Sequence, residues 1–334
     1  MKIKYIVALL LFLLFIQGFI IANVNSRTID EINYHLNSGY QYLTTGEWTV
    51  GLNNPPLTAT LAAIPLLFVK DKSKFNNFDR VRELDYIYER KEPFPRKIFL
   101  AARLVPLIFM TILGYVVFLW ARDLYGVKAG LFALFLYSFS PNILAFGTLV
   151  TADIGGALFI FSSMYTFWRY INKPTKKNLV IASVCFSLAQ VTKMLSIFLI
   201  PTFILYCTII YFYKEFNPNF FFNVRNKNIK KISDLALSLL IIFLIGLFII
   251  NLTYLFDGTF KPLIKYDKEK FESSTFKKLY ENKLMNSIPI PLPQPYVLGH
   301  DLAQWQAHDE VRGFFFLGKI GERFKSYYIV HILI

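Results

Sequence analysis

LVIASVCFSLAQVTKMLSIFLIPTFILYCTIIYFY, residues 179–213, is an apolar run of 35 residues interrupted by one charge, Lys193. As a single α-helix it would reach about 52 Å, far beyond a hydrocarbon thickness of roughly 30 Å. Two helices joined by a turn near Lys193 fit that thickness better. The choice decides on which side of a bilayer every later segment lies.

Further apolar blocks of membrane-spanning length run from Tyr5 to Val24, Ile98 to Trp120, Ala129 to Val150, Ile154 to Ile171 and Leu235 to Phe256. The first block is too long for a signal-peptide core and no small-residue cleavage pattern follows it, so it is expected to remain as a helix. Short loops rich in Lys and Arg stay on the cytoplasmic side, which tests the hairpin. With seven spans, thirteen basic residues collect there: Lys2, Lys4, Arg122, Lys128, Arg169, Lys173, Lys176, Lys177, Lys214, Arg225, Lys227, Lys230 and Lys231. The short turns on the other side carry only Lys193. One long helix would instead put the two most basic loops on opposite faces. The reading is an all-α polytopic membrane protein of about seven spans plus an incomplete eighth.

Composition agrees. The chain has 334 residues, 55% apolar and 18% aromatic, with a mean hydropathy of +0.43. That excludes an ordinary soluble enzyme. The net charge of +14 belongs to membrane topology, because no basic stripe carries interleaved base-reading residues and nucleic acid is therefore not an expected partner. Cys185 and Cys207 each sit inside an apolar block and read as small core residues.

The resulting division is a first membrane helix at 1–24, an outer loop at 25–97, a helix bundle at 98–256, a second outer loop at 257–326, and the start of a further membrane helix at 327–334. Within the first loop, the apolar run Leu57 to Val69 is too short to span and follows Pro55-Pro56, so it is expected to lie on the membrane as an interfacial helix. Residues 287–296, SIPIPLPQPY, cannot form a regular helix and read as an extended segment.

The topology places Asp30, which with Glu31 lies just beyond the first helix, on the same face as Asp153 and Lys193. Two acids and a cation under a long loop suit transfer from a phospholipid-like donor. The cation would hold a phosphate leaving group and an acid would take a proton from the incoming hydroxyl. Plainer roles exist for each: Asp30 and Glu31 at a solvated helix start, Asp153 as part of a Thr151 cap, and Lys193 snorkelling to the interface. His300, Asp301, His308, Asp309 and Glu310 match no compact ligand motif, so no metal site is expected in the second loop. Asn251-Leu-Thr253 is formally a glycan acceptor but lies inside an apolar span.

Asp30-Glu31 with His35, Gly39, Tyr42-Leu43, Gly46 and Asn54-Pro55-Pro56-Leu57 resembles the first outer loop of the C-type (GT-C) membrane glycosyltransferases, in the group of protein O-mannosyltransferases and lipid A aminoarabinose transferase, a family 39-like set. Arg103-Leu-Val-Pro106, Leu124-Tyr-Gly126 before Ala129-Gly130, Ser140-Pro141-Asn142, Thr151-Ala-Asp153, Thr192-Lys193 and Pro293-Gln-Pro-Tyr296-Val-Leu-Gly299 continue the similarity in order along nearly the whole chain.

That resemblance implies a helix bundle with amphipathic helices in its first loop, and a sugar transferred with inversion from a polyprenyl-phosphate donor to an acceptor hydroxyl of a protein, lipid or glycan. Asp30 would be the general base and Glu31 its support. Asp153 would orient the acceptor or a bound divalent cation. Lys193, with Arg103, would contact the donor phosphate, and His35, Asn54, Pro55 and Pro56 would shape the loop. No resident cofactor is implied beyond the lipid-linked donor. The implied location is a bacterial plasma membrane with the site facing outward.

The last eight residues, Tyr327 to Ile334, are apolar but cannot span a bilayer, whereas the family pattern continues through more helices. A truncated non-catalytic membrane protein is therefore one alternative. A secondary transporter is another, although transporters usually place ionisable groups near the midplane and show repeated halves.

Overall fold

The computed structural model describes residues 2–28, 30–69, 96–216, 232–308, 313–316 and 319–322. Among the described residues the regular structure is helical apart from one short antiparallel hairpin, β1 (Gly313–Phe316) with β2 (Lys319–Glu322). The expected incomplete helix at 327–334, the basic residues Arg225 to Lys231, and Asp309 and Glu310 lie outside the described residues.

Among the described residues, four helical stretches are long and apolar enough to cross a membrane: Ile3–Val24, Arg96–Tyr125, Met194–Phe212 and Ser233–Thr253. They belong to α1 (Lys2–Val24), α4 (Arg96–Tyr125), α9 (Leu199–Phe216) with the 3-10 turn Met194–Phe198 before it, and α10 (Ile232–Thr253). Exposed side chains such as Phe12 and Ile20 on α1, Leu205 and Phe212 on α9, and Leu240 and Phe248 on α10 give the bundle an apolar exterior. In water such a surface would drive aggregation; in a bilayer it meets lipid tails. The chain is an integral membrane protein.

The other three expected spans are built differently. The third is broken into α5 (Val127–Ser138) and α6 (Pro141–Phe146), because Pro141 has no N–H to continue a ladder and starts a new turn instead. The fourth, α7 (Ala152–Asn172), carries a more polar sequence because much of it is buried against protein, with small residues Gly155, Gly156, Ser162 and Ser163 on the covered side. The fifth, α8 (Lys176–Gln190), is only fifteen residues long and packs between α7 and α10.

The turn at Lys193 is present. α8 ends at Gln190 and the chain reverses, so that the rings of Phe186 and Phe203 stand 5.8 Å apart. In one continuous helix their seventeen-residue separation would be about 25 Å. Phe203 also stacks on Phe167 of α7 at 3.9 Å, closing a core of α7, α8, α9 and α10.

The first loop folds onto the end of this bundle. After a π-helical turn, Glu31–Leu36, come α2 (Asn37–Thr45) and α3 (Leu57–Ala63), and α3 continues as a 3-10 turn, Ile64–Phe68. α3 does not cross the bundle: Ala62, Ala63 and Leu66 are buried and pack with Leu36, Tyr40 and Phe99, while buried Ala59 packs with Trp48 and Val191. The second loop contributes α11 (Ser274–Glu281) and α12 (Gln294–His308); Pro262, ahead of α11, pairs as an isolated bridge with Pro289 of the proline-rich stretch, whose last three residues, 294–296, open α12 instead of staying extended. Asn251 cannot serve as a glycan acceptor in this fold. It is buried, and its amide nitrogen donates to the carbonyls of Leu247 and Pro291.

Candidate active site

The π turn brings three consecutive features to one end of the bundle: exposed Asp30, fully buried Glu31, and buried His35. π-helical turns are rare and cluster at functional sites. Glu31 is held by five hydrogen bonds. Its Oε1 accepts from Arg103 Nε (2.9 Å) and the backbone N–H of Val150 (2.9 Å). Its Oε2 accepts from Arg103 Nη2 (2.7 Å), Thr28 N (3.0 Å) and Thr28 Oγ1 (3.1 Å).

Arg103 uses its remaining donors on the carbonyls of Ala22 (2.7 Å), Asn25 (3.1 Å) and Ser26 (2.9 Å), and its guanidinium lies over the Phe99 ring at 4.6 Å. All five N–H groups of the guanidinium are engaged. The assignment of Arg103 to a donor phosphate is therefore corrected: in this fold the side chain is 1% exposed and its charge answers Glu31. Glu31, for its part, acts as a clamp joining the exit of α1, the π turn, α4 and the approach to α7.

Asp153 and Lys193 form a second ion pair, Nζ to Oδ1 2.7 Å, with side chains 47% and 31% exposed. Thr151 caps α7 by accepting from the Asp153 N–H, as its sequence suggests. The turn bearing Lys193 can lie this close because α7 offers Gly155 and Gly156. A Cβ on Gly156 would stand 3.0 Å from that of Lys193, and one on Gly155 would meet Thr58 Oγ1 at 2.6 Å.

His35 connects the two pairs. Burial is the main cause lowering its pKa to about 4, and the Lys193 charge adds to it; Asp153, Asp30 and Glu31 pull the other way. The imidazole is neutral at pH 7, and the acids and the lysine singled out in the sequence all stand near enough to act on it. The structure thus brings Asp30, Glu31, His35, Asp153 and Lys193 together and leaves Arg103 behind the clamp.

Pro55 and Pro56 are buried, and the N–H of Leu57 donates to Val191 O (3.0 Å), which docks the loop against the turn that carries Lys193. Asn54 hydrogen-bonds to Asn53, which in turn donates to Gln306 of α12 at 3.0 Å. Beyond Lys193 opens a cavity of about 860 Å3 with largely apolar walls, including Leu195, Phe198, Phe276 and Val297, and a few polar groups: Asn54, Lys193, His300 and Gln304. No motif in the chain signals the surroundings of His300. Its ring meets Tyr296 edge-on at 4.8 Å, burial lowers its pKa to about 4, and Tyr296 donates to Gln190 Oε1 at 3.2 Å. Asp301 turns elsewhere, accepting from Ser273 and Glu272, so it does not join His300. Among the described residues no group of three His, Cys, Asp or Glu is placed to hold a metal ion.

A bundle that presents a carboxylate and a lysine at one end, with the lysine on the wall of a largely apolar cavity, is the setting for the comparison with known families. Residues 97–218 match the family model Dolichyl-phosphate-mannose-protein mannosyltransferase. The resemblance to the C-type membrane glycosyltransferases thus has an independent counterpart, and the match supports a membrane glycosyltransferase of that type. The mannosyltransferase match is narrower than the ordered set of motifs: it contains Asp153 and Lys193, while Asp30, Glu31 and His35 precede it. The family implies a lipid-linked sugar donor and a glycan or protein acceptor. No curated protein and no solved structure matches the chain.

Proposed function

We propose that the chain transfers a sugar from a polyprenyl-phosphate donor to an acceptor hydroxyl at the outer face of a bacterial plasma membrane, with inversion at the anomeric carbon. The observation that carries this reading is the gathering of Asp30, Asp153 and Lys193 about His35, with Lys193 also on the wall of the apolar cavity. The cavity offers a path for an isoprenoid chain, and Lys193 on its wall would receive the phosphate. Exposed Asp30 would accept the proton from the attacking hydroxyl, converting it to a better nucleophile as the C–O bond to phosphate breaks. Asp153 would hold Lys193 in place until the phosphate arrives and then orient the acceptor. Every step is assigned to the side chains, and none is routed through a divalent cation. Glu31 and Arg103 would act by fixing the π turn.

The test uses the full chain in liposomes with radiolabelled polyprenyl-phosphate mannose, then other hexoses and pentoses, and a membrane extract as acceptor. Asp30→Asn keeps the size and removes the base, and is expected to lower transfer by roughly 10² to 10⁴ while the protein still inserts. Unchanged transfer removes Asp30 from the role. Lys193→Ala is expected to weaken donor binding, measured directly; equal affinity removes the phosphate contact.

A further inference from the structure

At the other end of the bundle, where the last turns of α4 and α7 converge, lies a second pocket of about 380 Å3. It is lined by Arg122, Asp123, Trp168, Arg169, Asn172 and Lys173. Arg169 is sixteen residues along α7 from Asp153, about 24 Å on the helix axis, so this pocket is remote from the candidate active site. Its charge is unbalanced: three cations face one carboxylate. Asp123 is occupied, because Oδ1 accepts from Arg122 (2.6 and 3.0 Å) and Oδ2 from the Tyr165 hydroxyl (2.7 Å).

Cations at helix C-termini also meet the negative end of the helix dipole, so charge alone would say little. The Trp168 indole is the second observation. Its N–H is buried and has no hydrogen-bond partner, although it belongs to the residues lining a basic pocket. Buried donors are ordinarily paired, and the neighbouring Trp120 N–H is unpaired as well, so this aromatic group has donors left over for an acceptor from outside the chain. The surroundings say which kind. Trp120, Tyr165 and Trp168 form a continuous aromatic group, with Trp120 to Tyr165 at 5.8 Å and Tyr165 to Trp168 at 6.2 Å, as at the headgroup level of a bilayer. Next to Arg122, Leu124 and Tyr125 are exposed and offer a surface for acyl chains.

We propose that this pocket binds the phosphate of an anionic glycerophospholipid, with Arg169, Lys173 and the Trp168 N–H as donors to its oxygens and the acyl chains lying along α4. The site is independent of the sugar-transfer reading.

Native mass spectrometry of the detergent-purified full chain, titrated with phosphatidylglycerol and separately with phosphatidylcholine, tests it. Phosphatidylglycerol should be retained about tenfold more strongly, and R169Q/K173Q should abolish the preference. Trp168→Phe keeps the aromatic ring and should cost about fivefold. Lys128→Gln, a basic residue outside the pocket lining, should change nothing. Equal retention of the two lipids, a preference that survives R169Q/K173Q, or an equal loss in Lys128→Gln would overturn the site. Displacement by millimolar inorganic phosphate as effective as by lipid would overturn the lipid as its ligand. Should the double variant not fold, Trp168→Phe decides: undiminished retention overturns the proposal.

Discussion

The Glu31–Arg103 and Asp153–Lys193 pairs have the same closest approach, 2.7 Å, and both involve residues that bear on His35, yet they are different devices. The first is 0% and 1% exposed and is surrounded by further hydrogen bonds to Thr28, Val150 and three carbonyls. The second is 47% and 31% exposed and stands beside an open cavity. A buried pair that loses one member strands a charge away from water, whereas a half-exposed pair exchanges its partner for water or another anion at little cost. Equal distances therefore separate a clamp from a contact that a substrate can replace.

Breaking the clamp should give the largest effect. Glu31→Gln leaves the Arg103 charge uncompensated and is expected to destabilise by about 3 to 5 kcal/mol, read as a large fall in thermal midpoint in detergent. A midpoint near the parent value would mean that water already reaches the pair.

An intermediate effect concerns the histidine between the two pairs. His35 and His300, both held near a pKa of about 4 by burial, remain neutral where the unfolded chain takes up protons. Stability should be fully present above pH 6.5 and decline as the pH falls toward 4, because the unfolded state binds more protons in that window. His35→Gln should flatten this part of the profile, and an unaltered slope in thermal midpoints measured between pH 7 and 4.5 would assign it to other groups.

The smallest effect sharpens the contrast. Lys193→Ala should change stability by less than about 1 kcal/mol, even though donor binding is expected to suffer. A loss as large as that of Glu31→Gln would show that the second pair is also structural.

Much of this arrangement was legible because it follows from charge and length. The hairpin at Lys193 was required by a 35-residue apolar run and by the distribution of basic loops, and the Phe186 and Phe203 rings display it. The gathering of Asp30, Asp153 and Lys193 followed from the same count. Arg103 was misread for a physical reason. An arginine inside an apolar span signals function by default, and its partner lies 72 residues earlier, beside an acid that looked equally available. The π turn that separates buried Glu31 from exposed Asp30 has no local signature, and the burial of His300 depends on contacts between the second loop and the bundle. Breaks inside the spans were partly visible at Pro141, but the short α8 was hidden because its length is set by its neighbours.

The clamp also imposes an order on synthesis. Glu31 needs Arg103, then the backbone of Val150, which is 119 residues further along the chain. At roughly 5 to 20 residues per second, that last donor emerges about 6 to 24 seconds after the carboxylate it will meet. During that interval the π turn has no complete set of partners. The first loop therefore cannot reach its final form as it leaves the ribosome and must await the arrival of α7, so the end of the bundle that carries Asp30 is among the last parts of this region to be completed.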